Sequence, residues 1–276
     1  MTTWRFIDSG PCDAAYNMAL DESIAIAVRK GCSPPTLRFY GWQQPSASIG
    51  AFQKITDINT LYCSRHNVQV VRRPTGGRGL LHGEELTYSF CAKNEGLFSK
   101  GLLDAYKDIS RAFSLALQRA GLIVVMEAGR RRERNFVRSP FCFHSTSYGE
   151  LTVNGRKLVG SAQKRWNDGF LQQGSIPYKV DCASLAAAFN DKSYWAKCHV
   201  PEIVGLQDLI PGFDPSAFKK HLRDSFEVFF GISLLGSLPS DQEAEEAQLL
   251  CSEKYRRPLW TSRVALRKSY SCNNEI

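Results

Sequence analysis

The sequence lacks the signals of a membrane protein, an exported protein or a zinc protein. No window approaches the roughly 18 consecutive apolar residues of a membrane-spanning helix, and residues 1–8 lack a basic stretch followed by an apolar one. The nine cysteines form no C-x-x-C pair and no Cys/His cluster at zinc-like spacing, and no repeat is present. We therefore expect a cytoplasmic chain without membrane contact, with reduced and mostly structural cysteines.

Length and charge limit the architecture and the partners. With 276 residues, 43% of them hydrophobic, the chain can bury one substantial core but not two large independent ones. The net charge of +8 favours an acidic partner. Part of the excess lies in a short run of arginines, Arg130, Arg131, Arg132, Arg134 and Arg138. Without interleaved aromatic residues, this run fits a solvated loop or a protein-docking segment better than a nucleic-acid site.

Local patterns predict an α+β or mixed α/β fold. Asp13 is placed to cap a helix that runs through Val28 and ends at Gly31, and residues 85–90 alternate as in a half-buried strand. Further strands are predicted at 37–40, 46–49, 68–72 and 123–126, and further helices at 59–65, at 102–120 and after a capping box of Ser240 and Glu243. Because strands and helices do not alternate regularly, a doubly wound sheet is not expected.

The clearest local signal is a β-hairpin centred on Asn154-Gly155, the pair that favours a type I′ turn. With a two-residue turn, Val153 opposes Arg156, Thr152 opposes Lys157 and Leu151 opposes Leu158. Leu151, Val153, Leu158 and Gly160 then share one face, and Lys157, Val159 and Ser161 share the other. A second hairpin is predicted to turn at residues 167–169.

The first candidate site is the glycine-rich segment RRPTGGRG at residues 72–79, followed by His82. Three glycines in four positions allow the backbone to approach a ligand closely, and the arginines can neutralise phosphate or carboxylate. The segment has neither the Walker lysine nor the Rossmann G-x-G-x-x-G pattern. An ordinary glycine-rich turn with exposed arginines is equally compatible with these residues. His82 by itself is more often a structural histidine than a functional one.

Two further candidates are Cys142 and Lys157. A cysteine near basic residues can have a stabilised thiolate, the form that attacks an acyl group, although a buried structural cysteine is the more common situation. Lys157 lies on the less apolar face of the predicted hairpin, where its ammonium could donate to an oxyanion. By spacing alone, a surface lysine beside a turn is the simpler interpretation.

Taken in order, these segments resemble the LipM-type octanoyltransferases of the biotin and lipoate protein ligase superfamily. The matching segments are WRFIDSG at 4–10, NMALDE at 17–22, RFYGW at 38–42, RRPTGGRG at 72–79, His82, ELTYS at 85–89, Cys142-Phe143, GRK at 155–157 and GSAQ at 160–163. The likeness weakens after about Val180. His144 departs from the family pattern, which has an acidic or small residue there.

The resemblance implies an α+β catalytic fold, a mixed sheet flanked by helices, over residues 1–235, with a helical extension at 236–276 packed on it. It implies transfer of octanoyl from acyl carrier protein to a lysine of a lipoyl domain, such as that of glycine cleavage H protein, without cofactor or metal. Cys142 would be the nucleophile, and Lys157 would contact the acyl carbonyl. The acyl site would comprise Arg72, Thr75, Gly76, Gly77, Arg78, Gly79, His82, Gly160, Ser161 and Ala162.

Three other functions use similar motifs. An ATP-dependent lipoate ligase of the same fold would need no Cys142. An amidotransferase that passes octanoyl between lipoyl proteins also uses a cysteine, but its glycine-rich region resembles this chain less well. A non-catalytic acyl- or nucleotide-binding module could keep the glycine loop and the basic surface, and it would be indifferent to replacement of Cys142 by serine.

Overall fold

The computed structural model describes residues 2–127, 149–190 and 203–262. The strands are β1 Thr2–Cys12, β2 Thr36–Trp42, β3 Ser46–Ile49, β4 Gln69–Arg72, β5 Leu80–His82, β6 Glu85–Lys93, β7 Val124–Met126, β8 Leu151–Val153, β9 Arg156–Arg165, β10 Gly169–Pro177 and β11 Ile232–Gly236. The α-helices are α1 Ala14–Lys30, α2 Thr60–Arg65, α3 Leu102–Arg119, α4 Cys182–Ala188, α5 Pro215–Phe230, α6 Asp241–Leu250 and α7 Pro258–Ser262. A π-helical segment, Cys251–Tyr255, connects α6 to the last turn before α7.

Eight strands form one mixed sheet in the order β11-β1-β2-β6-β10-β9-β8-β7. A second, three-stranded sheet has the order β4-β3-β5. Helices α3 and α5 pack on one face of the large sheet and share a core cluster with it, through residues such as Phe113 and Phe226. Helix α1 covers the other face. The architecture is the α+β class that the sequence predicted.

The C-terminal elements pack on α1. Ala247, Cys251 and Tyr255 are buried in the same cluster as the apolar side of that helix. Arg5 of β1 donates to both carboxylate oxygens of Glu243, at 2.7 and 2.5 Å. The last segment is therefore joined to the main sheet by both an apolar contact and a bidentate ion pair. No helix among the described residues combines the length and the apolarity that crossing a membrane requires.

The predicted helix signals are confirmed. The side chain of Asp13 accepts hydrogen bonds from two backbone N–H groups at the start of α1, and Gly31 ends that helix in the left-handed conformation, with φ of 79°. Ser240 and Glu243 form the expected capping box of α6. These signals depend on neighbouring residues only, which is why the sequence alone reveals them.

Strand β6 is buried on both faces, not half-buried as the alternation predicts. Leu86 and Tyr88 face the large core cluster, while Thr87 and Ser89 are 3% and 1% exposed. The strand lies in the middle of the large sheet, where both faces are covered. Its polar residues stay in the interior because they are hydrogen-bonded: Ser89, for example, donates to the carboxylate of Asp21 at 2.6 Å.

The Asn154-Gly155 hairpin is confirmed, with both residues at positive φ, but its register is shifted. Val153 pairs with Arg156 as predicted, whereas Leu151 pairs with Val159 and not with Leu158. The extra residue in β9 is a bulge, and it places both Leu158 and Val159 in the large core cluster. The prediction that Val159 shares a face with Lys157 and not with Leu158 was therefore wrong. The second hairpin turns at residues 167–169 as predicted.

A candidate acyl site between the two sheets

A narrow slot separates the small sheet from the large one. We call it the inter-sheet slot; its lining comprises Met18, Tyr40, Trp42, Ser48, Arg73, Leu80, His82, Thr87, Gly160, Ser161, Ala162, Gln173 and Gly174. One wall comes from β6, β10 and β9 of the large sheet, and the other from β3, β5 and the loop after β4. The slot therefore brings together His82 and the Gly160–Ala162 segment, two candidate regions that are far apart in sequence.

Arg73 anchors the glycine-rich loop from inside. Its side chain is 4% exposed, and it donates to the carbonyl oxygens of Gly76 and Arg78, at 2.8 and 2.7 Å. It also donates to the hydroxyl and the carbonyl oxygen of Ser48, at 3.1 and 3.2 Å. The loop is thus wrapped around a buried guanidinium, which fixes its backbone relative to the small sheet.

Arg72 faces elsewhere and is absent from the slot lining. Its guanidinium donates to carbonyl oxygens of Gly50 and Gln53, at 2.8 and 2.7 Å, and to that of Thr261 in α7, at 2.7 Å. Successive residues of an extended strand point in opposite directions, so only one of the two arginines can face the slot. In this structure Arg72 connects the loop after β3 to the C-terminal helix.

The glycines of the loop differ in their surroundings. Gly77 has φ of 88°, and a side chain there would meet Arg73 at 2.7 Å and the methyl of Ala162 at 3.5 Å. A side chain at Gly79 would overlap the ring of Phe189, at 2.1 Å. Gly76 has open space around it. Close approach therefore requires glycine at positions 77 and 79, where the loop meets β9 and the segment after α4.

A buried hydrogen-bond chain connects this loop to helix α1. Thr75 donates to the side-chain oxygen of Gln173 at 2.8 Å, and the amide nitrogen of Gln173 donates to Asp21 at 2.7 Å. Asp21 also forms a fully buried ion pair with Arg38, at 2.7 Å. Because a carboxylate only accepts, it fixes the orientation of the glutamine amide, and the amide in turn orients the Thr75 hydroxyl.

His82 is held from three sides. Its Nε2 lies 2.7 Å from Ser48 Oγ, its Nδ1 lies 2.7 Å from Glu85 Oε1, and its ring stacks on Trp42 with centroids 4.0 Å apart. Burial raises the pKa of Glu85, but the charge of His82 and hydrogen bonds from His82, Thr87 and Ser175 lower it more, so that it lies below its ordinary value. The ring is a fixed part of the slot wall.

Lys157 is buried in an ion pair. Its ammonium lies 2.6 Å from Glu150 Oε1, and the two side chains are 1% and 3% exposed. The backbone of Lys157 bridges to Ile203, which packs on Leu80 at the slot. The lysine is thus an interior cation next to the slot and not the surface residue that spacing alone favoured. Glu150 was not predicted from the sequence. The signal that could have indicated it is its position directly before the first strand of the hairpin that carries Lys157.

An outer cleft of about 570 Å³ adjoins the slot and shares Leu80 and His82 with it. Lys179, Asp181 and Glu84 contribute charged groups to this cleft, and Val180 and Leu185 contribute apolar ones. Its volume is in the range of about 300–1,000 Å³ that small-molecule sites occupy. Cys142 and the predicted arginine run lie outside the described residues.

The fold is that of solved lipoate–protein ligases. The structure of lipoate-protein ligase A bound with ATP matches with a TM-score of 0.80 at 19% identity, covering 96% of this chain and 100% of that one. A bipartite lipoate protein ligase from Thermoplasma acidophilum gives 0.79 at 18% identity, covering 98% and 100%. At such identities the likeness establishes the fold alone, which is the catalytic fold of this ligase class.

Sequence similarity is more specific. The model of the lipoyl protein ligase A/B catalytic domain matches residues 13–227. Octanoyltransferase LipM of Halalkalibacterium halodurans is 38% identical over 276 residues, covering 95% of this chain and 100% of the relative. Octanoyltransferase LipM of Anoxybacillus flavithermus is 41% identical, covering 93% and 97%. The chain belongs to the lipoyl protein ligase A/B catalytic family, in its LipM octanoyltransferase branch.

Proposed function

We propose that the chain is an octanoyltransferase of lipoate biosynthesis. It takes octanoyl from acyl carrier protein, holds it as a thioester on Cys142 and passes it to a lysine of a lipoyl-domain protein such as glycine cleavage H protein. The observation that carries this proposal is the end-to-end similarity to LipM octanoyltransferases, at 38% and 41% identity. The shared fold of the lipoate ligases supports the lipoyl-domain acceptor.

The inter-sheet slot is the proposed acyl site, with Arg73, His82 and residues Gly160–Ala162 in its wall. The glycine loop lies behind this wall: Thr75 donates to Gln173, and Gly77 lies against Arg73 and Ala162. The slot is narrow in this structure, about 20 Å³, which is room for about one water. Octanoyl binding therefore requires lining side chains to move. Met18 is suited to this, because a thioether chain has three rotatable bonds and adapts its packing at little cost. The proposed entrance for the donor's thioester arm is the outer cleft.

Lys157 is proposed to stabilise the oxyanion in both half-reactions. The Cys142 thiolate attacks the donor carbonyl, and the Lys157 ammonium donates to the oxygen that becomes negative; the donor thiolate then leaves. The second attack, by the acceptor's amine, passes through a similar oxyanion and releases Cys142 with formation of the amide. One thioester replaces another in the first step, so no ATP is consumed. The contact with Glu150 at 2.6 Å holds the Lys157 side chain in the interior.

Two further expectations belong to this proposal. Residues 1–235 constitute the catalytic part and residues 236–276 an extension; the contacts of α6 and the π-helical segment with α1 are the supporting evidence. The chain acts in the cytoplasm, where its donor and acceptor proteins occur. Its net charge of +8 would favour association with acidic protein partners.

The test is to incubate the protein with octanoyl-acyl carrier protein in the absence of ATP and to measure its intact mass. We expect a covalent octanoyl adduct that hydroxylamine removes, that Cys142→Ser abolishes and that added lipoyl domain discharges. Cys32→Ser is the matched control, because Cys32 is exposed and lies away from the slot and the outer cleft. The control should form the adduct at the wild-type rate.

The alternatives give different results. If acceptor modification requires ATP and free octanoate, the chain is a ligase. If the adduct forms from an octanoylated lipoyl protein and not from the acyl carrier protein, it is an amidotransferase. If no adduct forms and Cys142→Ser changes nothing, it is a binding module and the proposed mechanism is wrong.

A further inference from the structure

The last described helix, α7, is attached to the rest of the molecule by two of its five residues. Trp260 and Thr261 are partly buried, whereas the other three residues of the helix are exposed. The Trp260 ring packs edge-on against Tyr255, with ring centroids 5.9 Å apart. A helix of this length is too short to be stable by itself, so its contacts determine whether it forms.

Both attached residues meet the buried side chain of Arg72. Its guanidinium donates to the carbonyl oxygens of Trp260 and Thr261, at 3.0 and 2.7 Å. The indole N–H of Trp260 donates to the carbonyl oxygen of Arg72 at 2.9 Å. The last carbonyl groups of a helix have no partner within the helix, and here one arginine satisfies two of them. Arg72 and α7 therefore hold each other in place, although 188 positions separate Arg72 from Trp260.

The same guanidinium organises residues 50–53, which we call the support segment. It donates to the carbonyl oxygens of Gly50 and Gln53, at 2.8 and 2.7 Å, and to that of Ala51 at 3.2 Å. Three carbonyl groups of one short segment thus converge on a planar guanidinium, whose rigid fork fixes their arrangement. The conformation of the support segment therefore depends on Arg72.

The support segment lies against the glycine loop. The N–H of Ala51 donates to the carbonyl oxygen of Thr75 at 2.9 Å. A side chain at Gly50 would meet the carbonyl oxygen of Gly77 at 2.1 Å, so the two backbones are in close contact. Gly77 lies in turn against Ala162 of the slot wall. Displacement of the support segment would therefore move the loop relative to the slot.

We propose that the C-terminal helix α7 positions the glycine loop behind the acyl site, with Trp260 as the positioning residue that acts through Arg72. This inference rests on the proposed function of the slot and goes beyond it, because it makes α7 a working part of the site and not only an extension packed on the catalytic part. Trp260 is absent from the lining of the slot and of the outer cleft, so it acts indirectly.

A glycine loop that has lost its support must be ordered when the acyl group binds. Because only the ordered fraction of the molecules binds, the apparent affinity falls with that fraction, while the saturated enzyme keeps its rate. Trp260→Leu removes both the ring and the indole N–H. We therefore expect it to raise KM for octanoyl-acyl carrier protein about threefold or more and to change kcat by less than about twofold, in transfer to a lipoyl domain followed by intact mass.

Two variants separate this effect from general destabilisation. Phe39→Leu removes a buried ring from the large core cluster, and its KM should equal that of wild type. Arg72→Lys tests the route, because a single ammonium cannot serve the carbonyl groups of both the support segment and α7. It should raise KM by itself, and adding Trp260→Leu should raise KM no further. An unchanged KM in folded Trp260→Leu, an equal rise in Phe39→Leu, or multiplied effects in the double variant would overturn the proposal.

Hydrogen exchange tests the same contact without reference to activity. The amide of Ala51 reports on the interface between the support segment and the glycine loop. Trp260→Phe keeps a ring but loses the indole N–H, so exchange at Ala51 should be about fivefold faster, the factor for the net loss of one hydrogen bond. Tyr255→Phe is the matched control, because it removes a hydrogen bond in the same cluster that is donated to Glu22 and not to Arg72. In the control, exchange at Ala51 should keep the wild-type rate.

Equal exchange at Ala51 in wild type and Trp260→Phe, or the same acceleration in Tyr255→Phe, would refute the positioning role. This comparison also decides if Trp260→Leu fails to fold. If wild type transfers no octanoyl group, the proposed function fails by itself, and acceleration confined to Trp260→Phe would still support the positioning of the loop by α7.

Discussion

Replacing Asp21 with asparagine is predicted to be one of the most destabilising single changes in the molecule. The carboxylate accepts from four side chains: Arg38 at 2.7 Å, Ser89 at 2.6 Å, Tyr40 at 2.9 Å and Gln173 at 2.7 Å. Burial, and then the charge of Asp21, hold the pKa of Tyr40 well above its ordinary value, so that its hydroxyl stays protonated and donates. An amide cannot accept at both ends, so two of these donors would face an N–H group.

The magnitude follows from the ion pair. Both Arg38 and Asp21 have fully buried side chains. Removing one partner of such a pair leaves an uncompensated interior charge and costs about 3–5 kcal/mol. With a urea slope of about 3 kcal/mol/M, the unfolding midpoint would fall by about 1–1.7 M. The charge of Arg38 is only partly relieved by its neutral partners, Ser9 and Asn17.

Equilibrium unfolding in urea, followed by circular dichroism, measures this change. Asp108→Asn is the matched control, because the same substitution is made in a surface pair with Arg111 at 2.8 Å. An exposed pair of this kind contributes about 0.5 kcal/mol or less. The difference between the two variants therefore separates the buried position from the chemistry of the substitution.

A loss below about 1 kcal/mol in Asp21→Asn, at unchanged slope, would refute the reasoning, because the interior would then tolerate an unpaired guanidinium. The variant should also weaken the orientation of Gln173, and through it that of Thr75 in the glycine loop. We therefore expect a larger effect on transfer activity than in an equally destabilised variant of the large core, such as Phe39→Leu.

Two further predictions concern residues that surround the slot. The pKa of Glu85 lies below its ordinary value of about 4.3, so its ionised form stabilises the fold above that pH, and this contribution is lost as the pH falls through the lowered pKa. Glu85→Gln should therefore lose less stability than wild type between pH 5 and the acid limit of folding, as measured by thermal melts. An equal loss in both proteins would contradict this. Gly79→Ala places a methyl 2.1 Å from Phe189 and should lower the free energy of unfolding by about 1–3 kcal/mol. Gly76→Ala is the control, because open space surrounds Gly76, and it should change the free energy of unfolding by less than about 0.5 kcal/mol. Comparable urea midpoints for the two variants would show that Phe189 moves freely.

The sequence by itself determined the features that depend on near neighbours. Asp13 and Gly31 bound α1 because a cap needs only an acceptor before the helix and a residue tolerant of positive φ after it. Asn154-Gly155 fixed the hairpin turn for the same reason. The ordered motifs were also sufficient to indicate the family, since an ordered set of segments is far more specific than any one of them.

Tertiary structure alone decided what depends on distant contacts. Arg72 and Arg73 are adjacent in sequence, yet Arg72 holds the C-terminal helix and Arg73 the glycine loop, because successive side chains at the end of β4 point in opposite directions. The bulge in β9 gives the hairpin a register that differs from the predicted one. Lys157, expected on the surface, lies in the interior because it pairs there with Glu150. Likewise the stack of Trp42 on His82 and its hydrogen bond to Thr87 exist only because β2, β5 and β6 come together. Such placements depend on which faces are covered, and that is a property of the assembled sheets and not of any local segment.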